Sequence, residues 1–301
     1  RQDGRRFTGA AMMLAAALVF AVMGMLIKLL GPEFRVWDIA AFRFGGGMVL
    51  ILMIFGRQIK LFAPVRPKLM ITRGIVGAMA FLIFISALRL IPFSTATVIF
   101  FSFPAFAALF SPLIFKTPIT RFELACIGMA LTGVAVLLDF SLQENGLGQV
   151  LALLAGSLAG LTITLVKTLR ASNGPVIIYF YLCLVGFAVT LPPFMAAPHW
   201  PVAPLEIVIV IAIITLATAG QLFMNQGFHY CQSWEGGLYM TSEVVFATLL
   251  GVMFFSENLT GRFWLGGGLI FLSAIAFNLR SMESLGRNAK HEALPENKSH
   301  R

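Results

Sequence analysis

Long apolar stretches alternate with short polar connections along almost the whole chain. Ten of the stretches approach the roughly 20 residues that a helix needs to cross the hydrocarbon layer of a bilayer. These predicted helices cover residues 9–30, 36–55, 69–88, 93–115, 121–139, 147–169, 175–195, 204–228, 234–255 and 261–280. Glycine, proline and asparagine separate most of them, as in Gly31-Pro32 and Asn145-Gly146. The pattern predicts an all-α membrane protein with ten transmembrane helices.

Composition supports lipid as the surrounding medium and gives no sign of catalysis. Hydrophobic residues make up 58% of the 301 residues and charged residues 12%, against about 45–50% and about 25% in soluble domains. The cysteines and histidines have no metal-ligand spacing, and no nucleotide-binding loop or nucleophile motif occurs. We therefore predict a protein that is not an enzyme and has no cofactor and no metal site.

The positive charges indicate the orientation in the membrane. If the N-terminus is cytoplasmic, seventeen Lys and Arg residues fall in cytoplasmic segments and three, Arg35, Arg89 and Arg262, fall outside. We therefore expect a multi-pass protein of the bacterial inner (plasma) membrane with both termini cytoplasmic. The net charge of +9 is distributed between apolar runs, which argues against nucleic acid as a partner. Residues 281–301 form a polar tail that is predicted to be disordered.

The second half of the chain repeats features of the first at an offset of 139 to 140 residues. Phe115 to Thr120 aligns with Phe255 to Thr260, and Gly128 aligns with Gly268. The predicted repeats are residues 9–139 and 147–280, with five helices each. Because five is odd, the two repeats would be inverted in the membrane, an arrangement common in carriers that work by alternating access. A duplicated scaffold, a membrane enzyme and a rigid channel are the alternatives.

Three segments resemble the drug/metabolite transporter superfamily, in particular its EamA-type ten-helix metabolite carriers. They are Phe42-Arg43-Phe44, then Arg73-Gly74 with the run from Ala87 to Pro104, and the run from Glu243 to Thr260 followed by a glycine triplet. The resemblance implies a central cavity enclosed by helices 1–4 and 6–9, with helices 5 and 10 outside it and available for a homodimer. One departure is Thr117, where the family often has a glutamate, as this chain has at Glu257.

The function implied is secondary transport of a small-molecule substrate across the lipid bilayer. Members of the superfamily move amino acids and other metabolites in either direction. We expect amino acids or related compounds as cargo, with export favoured. The alternatives are import of a nutrient such as S-adenosylmethionine or riboflavin, and a non-transporting membrane scaffold or enzyme.

Glu243 and Arg43 are the leading candidates for substrate binding or coupling, since ionisable groups within a bilayer are costly. Glu243 lies about nine residues into predicted helix nine and is suited to binding an amine or carrying a proton. The alternative is a neutral, hydrogen-bonded carboxyl that supports packing. Arg43 is suited to holding a carboxylate, and equally to pairing with Glu243 or reaching the headgroups.

Weaker candidates are polar or aromatic groups within other helices. Gln221 and Asn225 are four residues apart on one helical face and either bind an amide or carboxylate or join two helices. Thr162 and Thr164 are expected to bond their own backbone. Four aromatic residues suit stacking on a planar substrate, although packing is the simpler role. These are Phe81, Phe84, Trp234 and Tyr239.

Lys28, Lys167 and Pro104 are candidates for gating or for an interface between helices. The two lysines lie near helix ends, where snorkelling to the headgroups is the main alternative. Pro104 lies inside predicted helix four, where it either kinks the helix for packing or acts as a hinge.

Overall fold

A computed structural model describes residues 2–57, 61–115, 120–137, 146–170, 172–230 and 239–292. These residues form helices and connections, and no strand occurs among them. The helices are α1 (Gln2–Leu29), α2 (Val36–Phe55), α3 (Pro67–Leu90), α4 (Phe93–Phe100), α5 (Phe103–Phe115), α6 (Arg121–Leu137), α7 (Gly146–Arg170), α8 (Pro175–Ala196), α9 (Pro204–Tyr230), α10 (Ser242–Phe255) and α11 (Gly261–Glu292). The predicted all-α class is confirmed.

Six helices of the described part are long and apolar enough to cross a membrane, namely α1, α2, α3, α7, α8 and α9. Three shorter apolar segments, Phe93–Ala107, Ser242–Phe255 and Gly261–Ala276, accompany them. Large apolar side chains point away from the bundle, among them Met53, Met253 and Leu265. An aqueous surface would make this arrangement costly, whereas acyl chains accommodate it. The chain is therefore a multi-pass membrane protein, while the count of ten crossings stays a prediction.

Proline marks the first residue of three long helices. Pro67, Pro175 and Pro204 begin α3, α8 and α9. A proline in the first helical turn costs nothing, because the N–H that it lacks would have no partner within the helix. Polar residues complete some of these boundaries, since Glu206 accepts the backbone N–H groups of Val202 and Ala203.

The segment predicted as one helix from residue 93 to 115 consists of two helices. α4 ends at Phe100 and α5 begins at Phe103, with a turn at Phe101 and Ser102. The Ser102 hydroxyl donates to the carbonyl of Ile99 at 2.7 Å. Pro104 is the second residue of α5, so its missing N–H is tolerated there and would not be in a continuous helix. The prediction of Pro104 within a continuous helix was therefore wrong.

The C-terminal segment also differs from its prediction. α11 continues through Glu292, so residues 281–292 are helical, and residues 293–301 lie outside the described part. The sequence from Ser281 to Glu292 has no proline and only one glycine, and it therefore lacks the residues that most strongly end a helix.

Most of the helix packing joins the two halves of the chain to each other. α1 packs on α9 and α3 packs on α7, while α2 packs on α8 and α6 on α11. Further contacts join α1 to α10 and α7 to both α4 and α5. α6 and α11 approach backbone to backbone, because a Cβ atom on Gly133 would lie 2.7 Å from the carbonyl oxygen of Gly266. Neither half could bury its apolar faces in this way alone.

Candidate functional site

Arg43 lies in the interior of α2 with only 4% of its surface exposed. Its guanidinium carbon is 3.8 Å from the centroid of the Phe81 ring and 4.9 Å from that of Phe44. The two rings meet edge to face at 5.5 Å. Cation–π contact with α3 therefore fixes the guanidinium plane, while the Nε atom is buried without a hydrogen-bond partner. Among the described residues, Arg43 forms no ion pair with Glu243, which was one of the sequence-based alternatives.

Arg73 is a second buried arginine, and the sequence analysis did not select it as a candidate although it lies inside the predicted helix 69–88. α3 begins at Pro67, so Arg73 lies in its second turn, 2% exposed. Its Nε and Nη1 atoms have no hydrogen-bond partner. An ionisable side chain inside a predicted transmembrane helix was the signal that could have identified Arg73 as a candidate.

Tyr179 and Cys183 of α8 bring the two arginines into one environment. Both residues are fully buried, and both lie within electrostatic range of Arg43 and of Arg73. The two guanidinium groups are also near enough to repel each other. Gly47 permits the approach of α8, because a Cβ atom there would lie 2.7 Å from the Tyr179 hydroxyl oxygen. We name these four side chains, Arg43, Arg73, Tyr179 and Cys183, the arginine cluster.

Gln221 and Asn225 extend the polar interior along α9. The Tyr179 hydroxyl lies 3.2 Å from the hydroxyl of Thr218, which directs that side of α9 toward α8. Asn225 is seven residues further along and therefore lies on the same side. It is fully buried with neither amide atom paired, and the Oε1 atom of Gln221 is also unpaired. These amides have not formed the interhelical bonds that were the alternative to a binding role.

Thr164 and Thr162 of α7 differ from each other. Thr164 donates to the carbonyl of Gly160 at 2.9 Å, as predicted. The hydroxyl of Thr162 is buried without a partner, so the prediction of a backbone bond was wrong for this residue. Buried polar groups almost always have partners in proteins. The unpaired atoms of Thr162, Gln221, Asn225 and the two arginines therefore require explanation.

Glu243 is the second residue of α10 and is partly buried. A turn at Thr241 precedes α10, so the carboxylate lies in a first helical turn and not midway along a continuous helix. This location favours negative charge. Within the described ranges, its carboxylate forms no hydrogen bond or ion pair.

The aromatic candidates lie in different surroundings. Phe81 stacks under Arg43, while Phe84 is 4.6 Å from Phe100 of α4, centroid to centroid. Tyr239 packs with Phe246 beside Met13 and Met240. Trp234 and the side chain of Lys167 lie outside the described residues. The structure thus brings Phe81 to the arginine cluster and leaves Phe84 and Tyr239 in packing contacts.

Lys28 belongs to a second, separate group of charged side chains. Its ammonium nitrogen donates to the carbonyl of Ile91 at 2.8 Å and is 3.6 Å from Oε1 of Glu257. Glu257 also accepts the backbone N–H groups of Phe93 and Ser94 and, at 2.6 Å, the Ser94 hydroxyl. We name this group, Lys28, Glu257 and the start of α4, the Glu257 cluster. Lys28 therefore joins helices at one end of the bundle.

A third charged contact lies at the start of α2. Asp38, which is fully buried, accepts hydrogen bonds from the backbone and side chain of Arg35. The side-chain hydrogen bond to Asp38 raises the pKa of Arg35. This carboxylate is therefore occupied and unavailable to the arginine cluster. In the described part of the chain, no group of three His, Cys, Asp or Glu residues is placed to hold a metal ion.

Comparison with known proteins gives matches over nearly the whole chain. A pseudopaline exporter of Pseudomonas aeruginosa is 24% identical over 272 residues, covering 90% of this chain and 96% of the relative. An uncharacterized transporter of Helicobacter pylori is 26% identical over 288 residues, covering 91% and 95%. The human solute carrier family 35 member G1 is 22% identical over 278 residues, covering 87% and 75%.

The fold and the family follow from two further comparisons. A solved protein crystal structure superposes with a TM-score of 0.67 at 19% identity, and the match covers 91% of this chain and 98% of that structure's chain. The sequence profile described as the EamA-like transporter family matches twice, at residues 7–139 and 146–279. Together the two matches span most of the protein, and the chain belongs to the EamA-like transporter family.

Proposed function

We propose that this protein is a secondary carrier that exports small organic metabolites, amino acids or related compounds, across the bacterial inner membrane by alternating access. The observation that carries the proposal is the set of unpaired polar atoms inside the bundle, on Arg43, Arg73, Thr162, Gln221 and Asn225. A static scaffold gains nothing from leaving such groups unpaired at a cost of about 1–3 kcal/mol each. A carrier requires them unpaired until a substrate arrives.

Two inverted five-helix repeats, residues 9–139 and 147–280, would supply the two states. The pairs of packed helices support this symmetry. In the two repeats α1 corresponds to α7, α3 to α9, and α4 with α5 to the segment that contains α10. The α1–α9 contact therefore has its counterpart in the α7–α3 contact, and the α1–α10 contact in those of α7 with α4 and α5. The α2–α8 and α6–α11 pairs are their own counterparts. The repeated family match also supports the duplication.

The Glu257 cluster closes one end of the carrier in this state. It links α1 and the segment after α10 to the start of α4, so opening that end requires breaking an ion pair and hydrogen bonds. With both termini cytoplasmic, this is the periplasmic end. The corresponding position in the first half is Thr117, so the cytoplasmic end would lack the same carboxylate. This asymmetry supports a resting state that is open to cargo from the cytoplasm.

Export is favoured because one full-length relative is named an exporter. Glu243 would serve as the coupling or amine-binding group, since its carboxylate has no partner among the described residues. Purified protein in liposomes, loaded in turn with labelled amino acids, tests the proposal. The expected result is saturable movement of a labelled compound that does not occur in liposomes without the protein. Measuring this flux under opposite substrate gradients separates export from import.

The variant Glu243→Gln is expected to abolish net flux while leaving the protein folded. Glu206→Gln is the matched control, because Glu206 also lies in the first turn of a helix but caps an exposed connection. If Glu243→Gln transports as the wild type does, Glu243 is not part of the mechanism. Absence of flux for every amino acid, nutrient and organic anion offered would favour the scaffold.

A further inference from the structure

Two positive charges are buried side by side in this bundle without a counter-ion among the described residues. Arg43 and Arg73 are 4% and 2% exposed, and both lie near Tyr179 and Cys183 of α8. Burying one charged group costs several kcal/mol even after relaxation. The neighbouring Tyr179 and Cys183 are neutral at physiological pH and supply no negative charge. Such a pair therefore requires a compensating negative charge.

The acidic side chains that the structure describes are either engaged elsewhere or not paired with these arginines. Asp38 is held by Arg35, and Glu257 by Lys28 and the start of α4. Glu243 forms no ion pair with either arginine across the described ranges. The positive charge of the cluster is therefore available to a molecule from outside.

The geometry suits an anion with paired oxygen atoms better than a cation or a neutral group. The contact with Phe81 fixes one face of the Arg43 guanidinium, so that its N–H edge remains for a ligand, and Nε is unpaired. Arg73 adds two more unpaired donor atoms, Nε and Nη1. A guanidinium fork matches the two oxygens of a carboxylate or phosphate. Two guanidinium groups in the same part of the bundle therefore match a ligand that carries two negatively charged groups.

We propose that Arg43 and Arg73 form the subsite of this carrier for a doubly negative organic anion, either a dicarboxylate or a phosphate ester. The proposal rests on the carrier function and deepens it, because it names the charge class of the cargo. Acidic amino acids fit the two arginines through their two carboxylates, although their ammonium group lowers the net charge, whereas neutral amino acids have only one carboxylate. The amides of Gln221 and Asn225 lie on the helix that contacts Tyr179 and would bind the remaining polar groups of the cargo.

Binding to the purified protein tests the proposal without depending on transport. Thermal stabilisation is measured with succinate, glutamate and glycerol 3-phosphate, and with succinamate, glutamine and glycerol as their analogues of lower charge. At least one doubly negative probe is expected to bind about 10- to 100-fold more tightly than its analogue, as expected for hydrogen bonds to charged groups. The phosphate ester and the dicarboxylates distinguish the two sources of the anion.

Matched variants assign the effect to the two arginines. Arg73→Gln and Arg43→Gln are each expected to remove most of the preference for the doubly negative probe. Arg43→Lys keeps the charge but not the fork, and it is expected to lose about tenfold in affinity. Arg89→Gln is the control on the same helix, because Arg89 already donates to the carbonyls of Gly31 and Phe34. This control should bind the probes as the wild type does.

The outcomes separate this proposal from the carrier function. Saturable flux of neutral compounds without any preference for anions would overturn the anion subsite and leave the carrier intact. Arginine-dependent binding of succinate without flux would support the subsite and count against the carrier. Equal binding of succinate and succinamate, or an Arg73→Gln variant with unchanged preference, would also overturn the subsite.

Discussion

The Glu257 cluster and the arginine cluster both bury charge among apolar helices, but they differ in how their polar atoms are used. Glu257 accepts three hydrogen bonds at the start of α4 and pairs with Lys28 at 3.6 Å. In the arginine cluster, three guanidinium nitrogens are buried with no partner. Paired charge holds segments of the bundle together. Unpaired charge is a cost that only an incoming ligand offsets, so the difference distinguishes a closing contact from a binding site.

The largest expected effect comes from removing the carboxylate of the Glu257 cluster. Glu257→Ala leaves Lys28 without its anion and two backbone N–H groups without an acceptor. The free energy of unfolding should fall by about 3 kcal/mol, the lower end for a broken buried pair, since the Lys28 side chain is 20% exposed. Denaturation in detergent micelles measures it. Glu206→Ala, which uncaps an exposed helix start, should cost about 1 kcal/mol, and equal losses would contradict the comparison.

Removing the other partner should cost less. Lys28→Met leaves Glu257 with its bonds to Phe93 and Ser94, so the carboxylate remains partly satisfied. We expect the free energy of unfolding to fall by about 2 kcal/mol, measured in the same way. Lys68→Met, at an exposed position in the first turn of α3, should change it by less than about 0.5 kcal/mol. A Lys28→Met protein as stable as the Lys68→Met protein would indicate that the ion pair contributes nothing.

In the arginine cluster, removing the charge is expected to raise the free energy of unfolding instead of lowering it. Arg73→Met removes an unpaired buried charge and keeps most of the side-chain volume, so the ligand-free protein should gain about 1 kcal/mol of stability. Its transport activity should be lost. Arg89→Met removes a guanidinium with two carbonyl partners and should destabilise the protein. Similar destabilisation by both variants, read from thermal melts without ligand, would show that Arg73 has partners after all.

The smallest effect is expected at Tyr179. Tyr179→Phe removes one hydrogen bond, but the Thr218 hydroxyl still donates to the carbonyl of Ile214 at 2.9 Å. The loss should be about 0.5–1 kcal/mol of unfolding free energy. Tyr181→Phe is the neighbouring control, and its stability should be unchanged. A loss of several kcal/mol at Tyr179 would mean that its hydroxyl organises the arginine cluster beyond this single bond.

Local hydrophobicity predicted the helices well where a polar residue or proline ended them. The prediction for residues 36–55 coincides with α2, because polar residues flank that apolar run. The break between α4 and α5 was not predicted, since Ile99, Phe100 and Phe101 are as apolar as the helices around them. Hydropathy identifies segments that can lie in lipid. It does not distinguish one continuous helix from two helices joined by a short turn within an apolar segment.

The candidate site was predicted in part. Arg43, Gln221 and Asn225 were identified because polar groups are conspicuous in an apolar helix, and Arg73 was missed because it lies close to a helix end. Glu257 was recognised only as part of a resemblance. Its partners Phe93 and Ser94 are 164 and 163 residues away in sequence, and no local pattern contains that information.

The contact between Gly133 and Gly266 has a mechanical consequence for the carrier. Two backbones without intervening side chains cannot separate without losing close contact along their whole crossing. The α6–α11 pair is therefore a close joint between the halves, and we expect these two helices to stay together when the bundle changes state. A spin-label distance across this joint should stay constant during turnover while distances across the Glu257 end change.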